Sequence, residues 1–353
     1  MAKWKFVSIA VLALSAALSL STYSADTAEV KSVQTGKDPE LTEDLGRLRS
    51  AVTCPVSVPG ASQVVLLIHG TGMTPKINWD HTLLQPLIQQ EYQPYYLEVP
   101  QRLFLDTQTT AEFISYAVKN VTQEHEAAKG GISIISWSAG GLATQWTLTF
   151  YPETRARVKR HIAIGPSYRG SWMMVPLFYF NLYSPAVVQQ LPWSNFLSTL
   201  EMFSGMTAHV PTTNIGSSTD LFIQPGFFGE GWARLKDAWR LGGPLAHNID
   251  LFKACASKAI EARSLPRIFT HDSLLWEAAS HVVIMDALRN TDTYLGSADI
   301  LEWKDCRLRV APSIDEISRT KHANILPELF KYAPTQPKGG WPEVAIRPYA
   351  FEH

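Results

Sequence analysis

The chain of 353 residues has few cysteines, no excess of charge of either sign and no apolar run long enough to span a bilayer comfortably. Its three cysteines are too few for a disulfide scaffold and show no C-x-x-C spacing, so zinc and thiol redox sites are not expected. A formal net charge of -1 leaves no electrostatic footprint for a nucleic-acid partner. With 46% hydrophobic and 18% charged residues, the composition excludes intrinsic disorder.

The first residues have the pattern of a secretory signal peptide. Residues 1–5 contain two lysines, and residues 6–20 form an uncharged apolar run. Small side chains at Thr22 and Ser24 predict cleavage after residue 24, which leaves no transmembrane segment; an uncleaved N-terminal anchor is the alternative. We therefore expect a secreted protein, periplasmic or extracellular. Residues 25–50 are polar and predict an N-terminal arm that lies over the domain or is partly disordered.

From residue 64 onward, short apolar runs alternate with helix-like stretches. The run at residues 64–68 is closed by Gly70 and is typical of a strand buried on both faces. Further predicted strands lie at residues 95–99, 132–135, 161–164 and 267–270, and predicted helices at residues 111–126 and 141–150. This order predicts a single α/β domain over residues 51–353, with a mostly parallel central sheet and helices on both faces.

Residues 170–200 break this alternation because they contain no charged side chain. Pro176, Pro185 and Pro192 argue against a membrane-spanning helix. The segment is either an excursion of the buried core or an apolar wall around a pocket for an apolar substrate. We favour the second interpretation and assign residues 170–205 to an apolar lid or pocket wall.

Ser138 stands in the sequence Ser136-Trp137-Ser138-Ala139-Gly140, between a predicted strand and a predicted helix. This is the context of a nucleophile elbow, in which small neighbours allow a sharp turn that exposes the serine oxygen. The usual pattern is G-x-S-x-G, and Ser136 replaces its first glycine with another small residue. A serine that only caps the helix is the alternative.

A nucleophilic serine needs a histidine base and a carboxylate that orients the base. On an open α/β sheet they follow in the order serine, acid, histidine. His271 follows the strand predicted at residues 267–270 and is the preferred base, with His281 as the runner-up. Asp220 ends a predicted strand and polar turn at residues 212–219 and is the preferred acid. The other carboxylates considered are Asp237, Asp250 and Asp272.

Ester cleavage also needs hydrogen-bond donors for the oxyanion that forms on the carbonyl oxygen. The backbone N–H of Ala139 is one expected donor, since this residue follows the nucleophile. The loop His69-Gly70-Thr71-Gly72 supplies the second, through the N–H and hydroxyl of Thr71, while His69 is expected to shape that loop. Phosphate binding by this glycine pair is a weak alternative, because the phosphate-loop and dinucleotide motifs are both incomplete.

These residues belong to ordered strings that resemble the Candida antarctica lipase B-like family of α/β-hydrolase serine lipases and esterases. The resemblance runs from about residue 51 to residue 316 and rests on Leu66-Leu67-Ile68-His69-Gly70-Thr71-Gly72, Leu105-Asp106-Thr107-Gln108, Ser136-Trp137-Ser138-Ala139-Gly140-Gly141-Leu142, Gln145-Trp146 with Leu148-Thr149-Phe150, and Val210-Pro211-Thr212-Thr213-Asn214 through Thr219-Asp220 to Gln224-Pro225. It implies an α/β-hydrolase fold without a metal or organic cofactor. It implies a catalytic triad in which Ser138 is the nucleophile, Asp220 the acid and His271 the base. It also implies an oxyanion hole formed by Thr71 and Ala139, and it places Trp137 beside the alcohol-side pocket.

The resemblance also concerns the cysteines. It implies a disulfide between Cys255 and Cys306. Cys54 matches a family cysteine, but its partner position near Tyr95 is occupied by another residue here, so we expect a free, buried thiol. Ala139 stands where the family member has glutamine, which leaves the backbone donor intact.

Together these patterns predict a secreted serine carboxylic-ester hydrolase, with a lipase acting on triacylglycerol or similarly apolar esters as the leading hypothesis. An esterase, thioesterase, amidase or polyester depolymerase is the alternative on the same fold, since a triad does not specify the leaving group. A catalytically dead binding module is the alternative from another class. The expected partners are an apolar ester or a lipid–water interface, and we expect a monomer.

Overall fold

The computed structural model describes residues 31, 33–223, 238–289, 296–314, 325–335 and 341–352. The predicted signal peptide at residues 1–24 and the start of the predicted arm lie outside the described residues. Within these ranges, no helix combines the length and apolar character that crossing a bilayer requires.

A seven-stranded sheet forms the centre of the fold, with the strands in the order β1-β3-β2-β4-β5-β6-β7. The short edge strand β1 pairs antiparallel with β3, and every other pairing in this sheet is parallel. The strands are β1 Val52–Thr53, β2 Gln63–Ile68, β3 Tyr92–Leu97, β4 Ile132–Trp137, β5 Val158–Ile164, β6 Thr212–Gly216 and β7 Ala246–Asp250. The predicted mostly parallel sheet is therefore confirmed.

Helices connect these strands and lie on both sides of the sheet. The α-helices in the described ranges are α1 Leu45–Ser50, α2 Pro75–Trp79, α3 Leu84–Gln89, α4 Thr107–Glu124, α5 Ala139–Phe150, α6 Pro152–Arg155, α7 Met174–Tyr179, α8 Pro185–Gln189, α9 Asn195–Met202, α10 Leu251–Glu261, α11 Ala278–Arg289, α12 Trp303–Arg307 and α13 Ile325–Tyr332. Short 3₁₀ turns lie at Pro100–Leu103, Glu126–Ala128, Ser273–Leu275, Ala333–Thr335 and Pro348–Phe351.

The alternation of side chains along β2 explains why both faces of the sheet are covered. Val64, Leu66 and Ile68 pack in a core shared with α4 and α5, on one face. Val65 and Leu67 point to the opposite face, where they join a core that includes α10 and α11. A strand buried on both faces reads as an uninterrupted apolar run, which is why the sequence predicts β2 well.

The prediction of a strand at residues 267–270 is wrong. These residues are irregular, and the last strand of the sheet is β7, which pairs with β6. The backbone of Phe269 bonds to a side chain instead of a strand: its N–H donates to Thr219 Oγ1, and the Thr219 hydroxyl donates to its carbonyl, both at 3.0 Å. Ile268 is 64% exposed, so the apolar character of this run does not reflect burial on both faces.

Strand β7 was not predicted because its residues form no apolar run. Its centre is His247-Asn248, and only Ile249 and Asp250 of this strand are buried. Asn248 pairs with Asn214 of β6 through a 2.9 Å hydrogen bond between their side chains. Polar pairing across neighbouring strands thus replaces the apolar pattern from which a strand is recognised.

Residues 33–44 of the predicted arm lie against α4 and α6. The buried Asp38 carboxylate accepts hydrogen bonds from the N–H groups of Glu153 and Thr154 and forms an ion pair with Lys119 at 2.8 Å. The buried Glu112 carboxylate of α4 accepts from the N–H of Glu43 at 2.9 Å. These charge-assisted contacts hold the arm on the domain.

The cysteines divide as the resemblance implied, with one correction. Cys255 of α10 and Cys306 of α12 form a disulfide, with their Cα atoms 5.3 Å apart. Cys54 is free but exposed, so the expectation of a buried thiol is wrong. It follows the short edge strand β1, where one side remains open, and Gln93 donates a hydrogen bond to its sulfur at 3.2 Å.

Candidate active site

Ser138 occupies the sharp turn between β4 and α5. Its backbone has φ 56° and ψ -127°, a conformation that is costly for a residue other than glycine and is found at functional sites. Its N–H donates to the carbonyl of Ile164 on β5 at 2.9 Å, and its carbonyl accepts from Gly141 at 2.9 Å. The strand, turn and helix therefore hold the serine at the carboxyl edge of the sheet, as the elbow pattern predicts.

The residues around the turn are small because other backbone lies against them. A Cβ atom on Gly140 would lie 2.5 Å from the His69 carbonyl oxygen, so only glycine lets α5 begin this close to β2. Ser136, which replaces the first glycine of the usual pattern, shares a 2.7 Å hydrogen bond with His161 Nε2 on β5. Burial lowers the pKa of His161 to about 3, so its ring is neutral at pH 7.

His271 lies within hydrogen-bond distance of both predicted partners. Its Nε2 is 2.9 Å from Ser138 Oγ, and its Nδ1 is 2.7 Å from Asp220 Oδ2. The imidazole stacks on Phe222 with ring centres 5.5 Å apart and lies 5.0 Å from the Trp137 ring. With Nδ1–H donating to the carboxylate, Nε2 is left to accept a proton from the serine.

Asp220 follows β6, and backbone donors fix its carboxylate. Its Oδ1 accepts from the N–H groups of Phe222 at 2.7 Å and Ile223 at 3.0 Å, which leaves Oδ2 for His271. Asp220 is buried, so it faces the imidazole across a site shielded from water. The structure thus brings together the serine, acid and histidine that the sequence selects.

The other candidates have different partners. His281 is buried in α11, where its Nε2 donates to the Leu275 carbonyl at 2.8 Å and burial lowers its pKa to about 4. Asp250 accepts from the N–H of Ser218 at 3.1 Å and caps α10. Asp272 accepts from the Thr270 hydroxyl at 2.6 Å. Asp237 lies outside the described residues.

The two expected oxyanion donors flank Ser138. Ala139 begins α5, so its N–H is among the first-turn groups that have no partner within the helix. Thr71 lines the same pocket as Ser138, and its hydroxyl oxygen is buried without a hydrogen-bond partner among the described residues. A buried hydroxyl without a partner in the protein is available to donate a hydrogen bond to an oxygen atom of a bound molecule.

His69 shapes the Thr71 loop, as predicted from its position. Its Nδ1–H donates to the Gly70 carbonyl at 2.9 Å, and its Nε2 accepts from the N–H of Val99 at 3.2 Å. Burial lowers the pKa of His69 to about 4, so the ring remains neutral and ties the loop after β2 to the residues after β3. Both ring nitrogens are engaged, which excludes His69 as the base.

The pocket at Ser138 has a largely apolar lining. Trp137 lies on it, and its indole N–H donates to the His271 carbonyl at 3.3 Å. The lining residues are Thr71, Trp137, Ser138, Ser171, Met174, Gln190, Phe222, Ile223, His271 and Leu329. Phe222 and Ile223 could have been found in the sequence, since they lie two and three residues after Asp220. Leu329 could not, because it comes from α13, far along the chain.

The charge-free residues 170–200 divide into a buried part and an exposed part. Val187, Val188 and Leu191 are fully buried, whereas Tyr179 and Phe180 at the end of α7 are 76% and 75% exposed. The assignment of residues 170–205 to a lid or pocket wall stays a prediction. Ser171, Met174 and Gln190 place the segment at the pocket.

Comparison with known proteins assigns the chain to a family. No family model matches the chain. The chain is 30% identical over 282 residues to lipase B of Pseudozyma antarctica, and the alignment covers 79% of this chain and 78% of that protein. The crystal structure of Aspergillus fumigatus lipase B superimposes with a TM-score of 0.75 at 24% identity, covering 90% of this chain and 74% of that one, and this similarity shows the fold. The chain therefore belongs to the lipase B family of carboxylic ester hydrolases and has the α/β-hydrolase fold.

Proposed function

We propose that this protein is a secreted lipase that hydrolyses apolar carboxylic esters through an acyl-enzyme on Ser138. The observation that carries the proposal is the chain of hydrogen bonds from Ser138 through His271 to Asp220, at 2.9 Å and 2.7 Å. The serine can pass its proton to the histidine, and the carboxylate orients the histidine and stabilises the imidazolium that forms. A binding module has no need of this arrangement.

In the first half of the reaction, His271 Nε2 takes the proton of Ser138 as Oγ attacks the ester carbonyl carbon. Asp220 stabilises the resulting imidazolium through the Nδ1–H hydrogen bond. The carbonyl oxygen becomes an oxyanion, which accepts hydrogen bonds from the N–H of Ala139 and from the N–H and hydroxyl of Thr71. The buried hydroxyl of Thr71, which has no partner among the described residues, supports this role.

In the second half, the proton on His271 passes to the leaving alcohol oxygen, and the acyl group remains on Ser138. Trp137 lies beside the alcohol. Water then attacks the acyl carbon while His271 takes its proton, and the same oxyanion donors act again. The bond between the acyl carbon and Ser138 Oγ breaks as His271 gives the proton to Oγ, which releases the carboxylic acid and regenerates the serine. No step calls for a metal ion or an organic cofactor.

The pocket lining favours an apolar substrate. Met174, Phe222, Ile223 and Leu329 present hydrocarbon to the space beside Ser138. Residues 170–205 act as a lid or pocket wall, and the exposed Tyr179 and Phe180 give this wall an apolar outer surface suited to a lipid–water interface. The N-terminal signal pattern and the Cys255–Cys306 disulfide support export to an oxidising compartment, where the enzyme acts as a monomer.

The test compares ester substrates of different chain length on the wild type and on Ser138→Ala. The wild type should hydrolyse an emulsified long-chain triglyceride as well as short soluble p-nitrophenyl esters. Ser138→Ala should lose at least about 10⁴-fold in kcat, because loss of a triad serine removes the covalent route. Its thermal unfolding midpoint should stay close to that of the wild type, since alanine retains the small volume at the turn.

Three outcomes would change the proposal. Turnover retained by Ser138→Ala would overturn the assignment of the nucleophile. Hydrolysis of short soluble esters alone would make the enzyme an esterase, and hydrolysis of amides, thioesters or a polyester in place of lipids would assign it to the corresponding alternative on this fold.

A further inference from the structure

The turn after β3 has an unusual backbone. Gln101, Arg102 and Leu103 have φ angles of 53°, 52° and 63°, and none of them is glycine. The left-handed conformation is unfavourable for L-amino acids because Cβ crowds the following carbonyl, and it normally occurs at single residues. Three such residues in a row persist only where surrounding contacts hold them. The contacts of Arg102 show what holds this turn.

Arg102 binds the loop that carries Thr71. The N–H of Gly72 donates to the Arg102 carbonyl at 2.8 Å, and Arg102 Nη1 donates to the Gly72 carbonyl at 3.3 Å. The backbone N–H of Gly72 belongs to the peptide bond that joins Thr71 to Gly72. The main chain of Arg102 therefore binds the N–H of Gly72, and its side chain binds the Gly72 carbonyl. Gly72 is the residue next to Thr71, the predicted oxyanion donor.

The same guanidinium binds helix α13. Its central carbon lies 3.3 Å from the ring centre of Tyr332, and its Nη1 lies 3.4 Å from Glu328 Oε2. Between these two residues, Leu329 faces the pocket. A Cβ atom on Gly72 would come within 3.3 Å of Leu329 Cα, so the Thr71 loop and α13 also touch directly. One side chain thus bridges an oxyanion loop and a pocket wall that are far apart in sequence.

We propose that Arg102 is a positioning residue that joins the Thr71 loop and α13 into one rigid unit, so that the oxyanion donors and the wall carrying Leu329 keep a fixed relation to Ser138. The inference rests on the proposed function, because it assigns Thr71 to the oxyanion hole. Arg102 acts through Gly72. A flat guanidinium suits this position, since its Nη1 contacts the Gly72 carbonyl and the Glu328 carboxylate while its face stacks on the Tyr332 ring.

Two glycine substitutions separate the side chain from the backbone strain. Arg102→Gly removes the guanidinium and keeps a residue that favours positive φ, so the turn itself is preserved. Gln101→Gly is the matched control, because it relieves the same strain one residue earlier at an exposed position and leaves Arg102 in place. Arg102→Lys retains the charge but not the planar fork.

The measurements are kcat and KM for a soluble ester, and the affinity for a boronic acid that mimics the tetrahedral intermediate. Arg102→Gly should lower kcat/KM at least about tenfold, mainly through kcat, because displaced oxyanion donors stabilise the transition state more weakly. Affinity for the boronic acid should fall by the same factor. Gln101→Gly should stay within about twofold of the wild type in both measurements, and Arg102→Lys should lose part of kcat.

The proposal is overturned if Arg102→Gly is as active as Gln101→Gly, or if its loss lies in KM with unchanged boronic acid affinity. Should Arg102→Gly fail to fold, Arg102→Lys decides, and wild-type kcat in that variant contradicts the proposal. A wild type that neither hydrolyses esters nor reacts with a fluorophosphonate would instead overturn the proposed function, so the two failures are distinguishable.

Discussion

Ser138 and His271 come within 2.9 Å of each other, yet the fold supports them in different ways. Ser138 lies between β4 and α5, in which every residue is buried, and its turn is fixed by backbone hydrogen bonds to β5 and within the elbow. His271 lies on an irregular segment between α10 and α11. The proposed nucleophile is thus held by regular elements of the core, and the proposed base by side-chain bonds and a disulfide.

Bonds that involve side chains, together with the Cys255–Cys306 disulfide, hold the segment that carries His271. Arg267 and Glu277 form an ion pair at 2.8 Å across the residues that flank His271, and the Glu277 side chain is only 3% exposed. Burial raises the pKa of Glu277 to about 7, while Arg267 opposes this shift. The N–H of Ala311 donates to the Trp276 carbonyl at 2.8 Å, in the stretch that follows the disulfide-bonded Cys306.

This difference has a physical consequence. Removing one contact from β4 or α5 leaves many backbone bonds and a packed core in place. Around His271, in contrast, several supports are single bonds that involve side chains, such as the Arg267–Glu277 ion pair. Single substitutions there should therefore loosen the proposed base without disturbing the proposed nucleophile. We therefore expect lower local stability around His271 than in β4 and α5, because fewer backbone hydrogen bonds hold the chain there.

The strongest test of the base compares His271→Ala with His281→Ala. His271→Ala should lower kcat by at least about 10⁴-fold, because Ser138 loses its proton acceptor. His281→Ala should keep most of the activity below its unfolding temperature, and it should lose only stability, since it removes a buried hydrogen bond to Leu275. Steady-state kinetics and thermal unfolding of both variants decide, and an inactive His281→Ala with an active His271→Ala would refute the assignment.

Removal of the disulfide tests how the segment that carries His271 is stabilised. Replacing Cys255 and Cys306 by serine should lower the free energy of unfolding by about 4 kcal/mol, the chain-entropy value for a loop of 51 residues. Urea titration measures this loss. Amide hydrogen exchange should accelerate at residues 264–277 more than in β4 and α5. Equal acceleration in both regions, or an unchanged unfolding midpoint, would show that the two sides of the site are supported alike.

The same contrast explains what could be predicted from the sequence. The sheet, the elbow at Ser138 and the loop at Thr71 were recognised because buried strands read as apolar runs and sharp turns need small residues. The strand predicted at residues 267–270 was wrong, since a threonine hydroxyl takes the place of a neighbouring strand there. Strand β7 was missed because its polar residues pair across the sheet.

Contacts between distant segments left no pattern in the sequence. Leu329 reaches the pocket from α13, and the Arg102 side chain contacts Glu328, 226 residues further along the chain. Neither lies in a recognisable motif. Chain order and the preceding elements single out Ser138, Asp220 and His271 in the sequence. The pocket lining depends on tertiary packing that composition and periodicity do not encode.

Reaction with a fluorophosphonate tests whether Ser138 is the nucleophile of an ester hydrolase. After incubation of the wild type, peptide mass spectrometry should find one phosphonyl adduct, on Ser138, and ester hydrolysis should disappear in proportion to labelling. Ser138→Ala should take up no label. An adduct on another residue, or a wild type that hydrolyses esters without reacting at Ser138, would show that Ser138 is not the nucleophile.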